Sequence, residues 1–134
     1  MTRSTVLVAL DPSSAKGESA LSLVERTDHV TLFLPLSGSA SRALSEYAAA
    51  ENISIPTAGE VYLDQVATRL RSDGYAVDAV SSSAVNAVDE ILHLVGTERV
   101  TKVALPAGSI ALDRRSLGRL VSSCPVPVVI APAA

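Results

Sequence analysis

The sequence predicts an α/β fold, a three-layer sandwich in which helices cover both faces of a five-stranded parallel sheet of order 3-2-1-4-5. Five short apolar runs recur along the chain, and segments with the apolar spacing of a helix separate them. The runs are apolar on both faces, which is typical of parallel strands because antiparallel strands alternate more clearly. A four-helix variant in which one strand is assigned wrongly is the alternative arrangement.

The strands are predicted where the apolar runs lie. The third and fourth runs each carry one or two polar residues, and the others are more uniformly apolar. Runs of this length with many β-branched residues are typical of buried strands. The predicted strands are Val6–Leu10, Val30–Leu36, Ala76–Val80, Val100–Leu105 and Val126–Ala131.

Residues with helical spacing fill the first two intervals between strands. The first helical segment ends near Asp28, and a second is interrupted by the sequence "NISIP" at 52–56. The third is predicted to begin at Thr57, with Glu60 three residues later as in a capping box. Gly74 is predicted to end it, because glycine adopts the left-handed conformation that closes many helices.

Two further helices follow. Ser83 and Gly96 are the predicted start and stop of the fourth helical segment. Asp113 is predicted to cap a last short helix, which Pro125 ends because proline cannot continue a helix. The alternation of strands and helices predicts right-handed crossovers and one domain covering residues 1–134, with an order like that of flavodoxin or nucleotide hydrolases.

Composition excludes several classes of function. The chain has 134 residues and a formal net charge of −3, so electrostatics do not favour nucleic acid or anionic lipid. Its four aromatic residues are too few for a base-stacking platform. The single cysteine, Cys124, excludes an internal disulfide, and the apolar run before Asp11 is too short for a signal peptide or membrane span. We expect a soluble cytoplasmic protein.

The predicted topology places a ligand site outside the carboxyl ends of the first and fourth strands. Asp11 follows the first strand, and its carboxylate can accept from a ribose hydroxyl or an adenine amine, or cap the backbone that follows. Gly108 and Ser109 follow the fourth strand as either an anion-binding turn or an ordinary one. Arg114 and Arg115 open the last helix, where they can bind an anion or stay solvated.

Other chemistries find no support in the sequence. Neither His29 nor His93 has a second metal ligand at helical spacing, although Asp89 lies four residues before His93 and can pair with it. Asp89 and Glu90 are adjacent on a helix and point in different directions, so they do not form a catalytic pair. A nucleophile elbow and a Walker-type loop are both missing. We expect no catalytic residue and no metal site.

Five segments together resemble a universal stress protein domain over nearly the whole chain: "VLVALDPSS", "VTLFLPL", "RLRSDGYAVDAV", "NAVDEILHLVGTERVTKVALPAG" and "CPVPVVIAP". The resemblance implies a small α/β domain, commonly a homodimer paired through the last strand, here Val126–Ala131. For the members that bind ATP, it implies an Asp after the first strand, matched by Asp11. It also implies a ligand residue at the end of the second strand, matched by Leu36.

The glycine motif of the ATP-binding members is degenerate in this chain. That motif follows the fourth strand as Gly, two residues, Gly, nine residues, and then Gly with Ser or Thr. Gly108 matches the first glycine, but Ala111 stands at the second. Counted back from "PVPVV", Arg114 and Arg115 stand where the motif has its final Gly and Ser or Thr. The connection from Gly108 to Arg114 is about seven residues shorter than the motif requires. An arginine cannot give phosphate the close backbone approach that glycine gives.

We therefore expect a non-catalytic, homodimeric stress-response or regulatory protein with weak or absent ATP binding, no required cofactor and a protein partner. The alternative is an adenine-nucleotide-binding module, with Asp11 on the ribose or base and the Gly108 loop on the phosphate. In that alternative the side chains of Arg114 or Arg115 replace backbone donors. An ATP-hydrolysing enzyme ranks third, because no base or metal-binding carboxylate accompanies Asp11.

Overall fold

The computed structural model describes residues 4–12, 18–36, 39–82, 87–106 and 114–131. Strands and helices alternate along them, as the apolar pattern predicts. The strands are β1 Thr5–Ala9, β2 His29–Pro35, β3 Ala76–Ser82, β4 Lys102–Leu105 and β5 Val128–Ile130. The helices are a 3-10 helix Ser19–Leu23, α1 Ser39–Ala50, α2 Ile55–Ser72, α3 Ala87–Thr97 and α4 Arg114–Ser123.

The five strands form one parallel sheet in the order β3-β2-β1-β4-β5, which confirms the predicted order. In the centre of the sheet, Val8 of β1 pairs with Leu32 of β2 on one side and with Ala104 of β4 on the other. β3 and β5 are the two edge strands, so among the described residues each has one side without a neighbouring strand.

Two hydrophobic cores lie on the two faces of the sheet. Side chains alternate along a strand, so β1 gives Val6 and Val8 to one core and Leu7 and Ala9 to the other. The first core lies under the 3-10 helix, α1 and α2, and the second lies under α3 and α4. This arrangement is the predicted three-layer sandwich.

The start of α2 differs from the prediction. Ser54, and not Thr57, precedes the helix in an extended conformation, and its hydroxyl accepts a hydrogen bond of 3.2 Å from the Thr57 N–H. Pro56 lies in the first turn, where its missing N–H has no helical acceptor to lose. The interruption between α1 and α2 is a turn at Asn52, whose φ is 54°. Gly74 ends the helix region as predicted, with φ of 94°.

The end of α3 also differs from the prediction. Gly96 lies inside the helix, which continues to Thr97. The left-handed residue after the helix is Arg99, with φ of 53°, and the Val100 N–H donates to the Val95 carbonyl at 3.3 Å. This bond holds Val100 at the helix end, so β4 begins at Lys102 and not at Val100. The predicted caps Ser83 and Asp113 lie outside the described residues.

The first crossover contains a 3-10 helix where an α-helix was expected. The Leu21 N–H donates to the Glu18 carbonyl and the Val24 N–H donates to the Leu21 carbonyl, both three residues back. The Ser22 hydroxyl donates to the Ser19 carbonyl at 2.8 Å, and this bond competes with the helical ladder.

β5 is shorter than the predicted strand Val126–Ala131. Pro127 has no N–H, so regular pairing begins only at Val128, although the Pro127 carbonyl accepts from the Val103 N–H at 2.9 Å. Within the described part of the chain, no helix combines the length and the apolar character that crossing a membrane requires.

Candidate functional site

The carboxyl ends of β1, β2 and β4 lie side by side, which brings the residues that follow them to one edge of the sheet. Ala9 of β1 pairs with Phe33 of β2, and the Leu10 N–H extends this ladder by donating to the Phe33 carbonyl at 2.9 Å. Asp11 and Leu36 therefore follow neighbouring strands at the place that the topology assigns to a ligand.

Asp11 is covered by the protein, with only 1% of its surface exposed. A carboxylate at this depth reaches a ribose or an adenine only if the residues above it move. Its negative charge also acts within the protein, since it contributes to the raised pKa of Tyr62.

Tyr62 of α2 faces the end of β1. The pKa of its hydroxyl is raised to about 12, chiefly by burial and then by the negative charge of Glu18. Arg69 opposes this shift, and Asp11 adds to it. A phenol with this pKa remains protonated at neutral pH and can donate a hydrogen bond. The side chain also packs against the first core.

An ion pair between Glu18 and Arg69 joins the 3-10 helix region to α2. Arg69 lies seven residues after Tyr62, which is two helical turns, so both side chains project from the same face of the helix. Together with Asp11, the cluster has two carboxylates and one guanidinium. Its net charge is therefore negative, which is unfavourable for a bound phosphate.

Leu36 packs against α2 as well as following β2. A Cβ atom placed on Gly59 would lie 2.9 Å from Cδ2 of Leu36 and 3.4 Å from Cδ2 of Leu34. The missing side chain at Gly59 therefore lets α2 approach the end of β2 closely. Leu36 is partly exposed, so part of its surface still borders the site.

The second half of the predicted site lies mostly outside the described residues. Gly108 and Ser109 lie outside the described residues, and so does the side chain of Arg114. Pro106 is buried at the end of β4, and Arg115 is exposed in the first turn of α4. Eight residues connect β4 to α4.

Sequence reasoning missed three members of the cluster around Asp11. Glu18, Tyr62 and Arg69 come from two segments far apart in the chain, and none belongs to a recognisable motif. The spacing of Tyr62 and Arg69 on one helical face was the available signal. The predicted pair of Asp89 with His93 is also replaced, because Asp89 forms an ion pair with Arg119 of α4.

Groups suited to a metal ion are absent from the described ranges, where no three His, Cys, Asp or Glu side chains come together. His29 pairs with Asp78 at 2.7 Å, at the opposite end of the sheet from Asp11. The chemistry available beside Asp11 is hydrogen bonding and packing.

Neither a protein-family model nor a curated protein matches the chain. Solved structures of universal stress proteins share its fold. One from Archaeoglobus fulgidus is 14% identical, matches 98% of this chain and 96% of its own, and gives a TM-score of 0.67. One from Burkholderia pseudomallei is 17% identical, and the match covers 97% of this chain and 96% of that one, with a TM-score of 0.65.

A universal stress protein family protein from Arabidopsis thaliana, solved with AMP bound, is 14% identical to the chain. The match covers 97% of this chain and 93% of that one, with a TM-score of 0.63. At these identities the likeness shows the fold. The resemblance seen in the sequence is thus confirmed at the level of architecture, over nearly the whole chain.

Proposed function

We propose that this chain is a universal-stress-type protein that acts as a homodimer through contacts with other proteins, without catalysis and with weak or absent binding of ATP. The observation that supports this proposal most directly is the length of the connection between β4 and α4. Eight residues join Leu105 to Arg114, fewer than the spaced glycine motif of ATP-binding members contains. Too few backbone N–H groups are available there to surround three phosphates.

The buried end of β1 supports the same proposal. Asp11 is 1% exposed, and the neighbouring carboxylate of Glu18 adds negative charge close to it. Binding a triphosphate would require exposing Asp11 and placing several negative charges near these carboxylates. Within the described part of this cluster, the guanidinium of Arg69 opposes that repulsion, and it already pairs with Glu18.

The open side of β5 supports the homodimer. The Val103 N–H donates to the Pro127 carbonyl and the Ala131 N–H donates to the Leu105 carbonyl, so alternate residues of this segment face β4. Val128 and Ile130 consequently turn their backbone groups away from the sheet. Ile130 is 49% exposed and Val121 of α4 is 56% exposed, which leaves apolar surface for a second copy to cover.

Calorimetric titration with ATP and Mg²⁺ tests the nucleotide part of the proposal. We expect no saturable binding at micromolar concentrations, and the same result for Asp11→Ala, because Asp11 has a structural role. Micromolar binding that Asp11→Ala abolishes would overturn this part of the proposal. Gly118→Ala, at an exposed site in α4 with open space around it, is the matched control for a small change on the surface.

The second candidate is a module that binds an adenine mononucleotide. The structure solved with AMP favours it, because AMP carries one phosphate and needs no loop long enough for three. Arg115, exposed at the start of α4, would then hold that phosphate through its side chain. Mass spectrometry of the small molecules released from purified protein tests this candidate. Co-purified AMP that Arg115→Ala removes would favour it, and AMP-free protein would reject it.

A further inference from the structure

A groove of about 250 Å³ lies between α2 and the edge strand β3, two strands away from β1. α2 forms one wall and β3 forms the floor. The small side chains of Ala67, Ala79 and Ser81 leave the space open. We call it the β3 groove. Its lining residues are Glu60, Leu63, Asp64, Ala67, Arg71, Ala79 and Ser81.

The open side of β3 has backbone groups for pairing. Arg71 donates from its guanidinium to the Val77 carbonyl at 2.8 Å, so this carbonyl points away from β2. Successive residues of a parallel strand direct their backbone groups to alternate sides. Ala79 and Ser81 therefore turn their N–H and C=O groups to the same open side. Within the described residues β3 pairs with β2 alone, so no other strand takes these positions.

The wall of the β3 groove is acidic. Glu60 and Asp64 are exposed and lie four residues apart, on one face of α2. Like charges at this spacing destabilise a helix by about 0.2–0.5 kcal/mol. Neither carboxylate forms an ion pair with a described residue, since the ion pairs there involve other acids. The groove lining thus has two exposed carboxylates and one guanidinium, a net negative charge beside a strand edge that can accept a new strand.

We propose that the β3 groove binds an extended, lysine- or arginine-bearing segment of another protein, which adds to the sheet as a strand beside β3. Hydrogen bonds from Ala79 and Ser81 would hold its backbone. Side chains on one face of a strand repeat every 6.6 Å or so, and residues four apart on a helix are separated by about 6 Å. Two basic residues two positions apart therefore match Glu60 and Asp64.

Charge decides between this partner and a second copy of the chain. A symmetric pairing of two β3 edges would join two surfaces that are each negative overall, because each groove has two carboxylates and one guanidinium in its lining. A basic segment neutralises this net charge instead. The guanidinium of Arg71 is held by the Val77 carbonyl, so its charge reduces the net negative charge of the lining without removing it.

Amide exchange measured by NMR on the full chain tests the proposal. In the free protein, the amides of Ala79 and Ser81 should exchange fast, whereas those of Asp78 and Val80, which face β2, should be protected. The probe is an acetylated and amidated octapeptide of alternating lysine and valine. We expect it to slow exchange at Ala79 and Ser81, and we expect the same peptide with glutamate for lysine to have no effect.

Variants separate the charge from the backbone contribution. Glu60→Gln combined with Asp64→Asn should weaken binding of the lysine peptide about tenfold, because each exposed ion pair contributes about two- to fivefold to affinity. Glu46→Gln with Glu51→Gln, two exposed acids near the end of α1, is the matched control and should change nothing. Ala79→Pro removes one open N–H and should abolish the protection.

The backbone contribution can also be tested without altering the protein. Two lysine peptides are compared, one methylated on the odd-numbered backbone nitrogens and the other on the even-numbered ones. Only one of them should lose binding, because an added strand pairs with β3 through the N–H groups of one side. Equal binding of the glutamate peptide would overturn the proposal, as would retained binding by both methylated peptides. Protection of Ala79 and Ser81 that grows with protein concentration alone would overturn it in favour of a second copy.

Discussion

The sheet has two open edges, and they differ in length, polarity and protection. The β3 edge is seven residues long, lies below an acidic helix wall, and has one carbonyl already occupied by Arg71. The β5 edge is three residues long and carries the exposed apolar side chain of Ile130. Unpaired edges invite association, and these two invite different partners.

The difference shows how one sheet can support two interactions. An apolar edge with little charge favours a copy of itself, because symmetric pairing buries the same side chains twice. A polar edge beside a groove with a net negative charge disfavours its own copy and favours a basic strand. Four experiments on the two edges follow, from the largest expected effect to the smallest.

Ile130→Asp should produce the largest effect. If β5 pairs two copies, the substitution buries a carboxylate on each side of the interface, and the dimer dissociation constant should rise by about 100-fold or more. Native mass spectrometry and sedimentation velocity report the stoichiometry. Tyr47→Asp, at an exposed aromatic site on α1, should leave it unchanged. A dimer that survives Ile130→Asp would exclude β5 as its interface.

Proline placed at two neighbouring positions of β3 should separate the paired side from the open side. The Val80 N–H faces β2, so Val80→Pro should lower the free energy of unfolding by about 1–3 kcal/mol. The Ala79 N–H faces the open side, and Ala79→Pro should cost about 1 kcal/mol or less. Urea unfolding measures both. Equal losses would show that the backbone alternation along β3 is assigned wrongly.

Arg71→Ala should weaken the β3 edge and leave β5 unaffected. The substitution frees the Val77 carbonyl, and we expect the free energy of unfolding to fall by about 1 kcal/mol. Amide exchange should accelerate along β3 and not along β5. Arg42→Ala, an exposed arginine on α1, is the control. Uniform acceleration in both strands would mean that Arg71 stabilises the whole fold and not one edge.

High pH should destabilise the fold through Tyr62 of α2, the helix that also forms the wall of the β3 groove. The folded-state pKa of Tyr62 is raised to about 12 from an ordinary value of 10.0, so folding favours the protonated phenol. Its contribution to stability is complete below pH 10 and is lost as pH rises from 10 to 12.

Tyr62→Phe should make the free energy of unfolding depend less on pH in that window. Urea unfolding at intervals from pH 9 to pH 12 measures the slope. Tyr47→Phe removes an exposed hydroxyl and should keep the wild-type slope. Identical slopes for the wild type and Tyr62→Phe would contradict the raised pKa.

Most of the fold follows from local patterns. Runs that are apolar on both faces identify the parallel strands, and their alternation with helices leaves few ways to order the sheet. The errors occur where one signal has two readings. Pro56 predicts an interruption of the helix, but proline also suits the first turn of a helix, where it lies in α2. Gly96 predicts the end of a helix, but glycine can also lie inside a helix, as it does in α3.

The candidate site was only half predictable. Asp11 and Leu36 follow from the topology, because the ends of neighbouring parallel strands meet at one edge. Tyr62 does not, because its position depends on how α2 is rotated about its axis. That rotation is set by the close approach of Gly59 to Leu36, a contact between residues that no local pattern connects.

The eight-residue connection between β4 and α4 has a consequence for protein engineering and for divergence. Doubling the length of a flexible loop costs only about 0.6 kcal/mol in closure entropy. Grafting a glycine-rich segment into this position therefore requires little thermodynamic compensation from the rest of the scaffold. Gain and loss of a phosphate loop at this point are nearly neutral for folding, so selection on ligand affinity alone can drive either change.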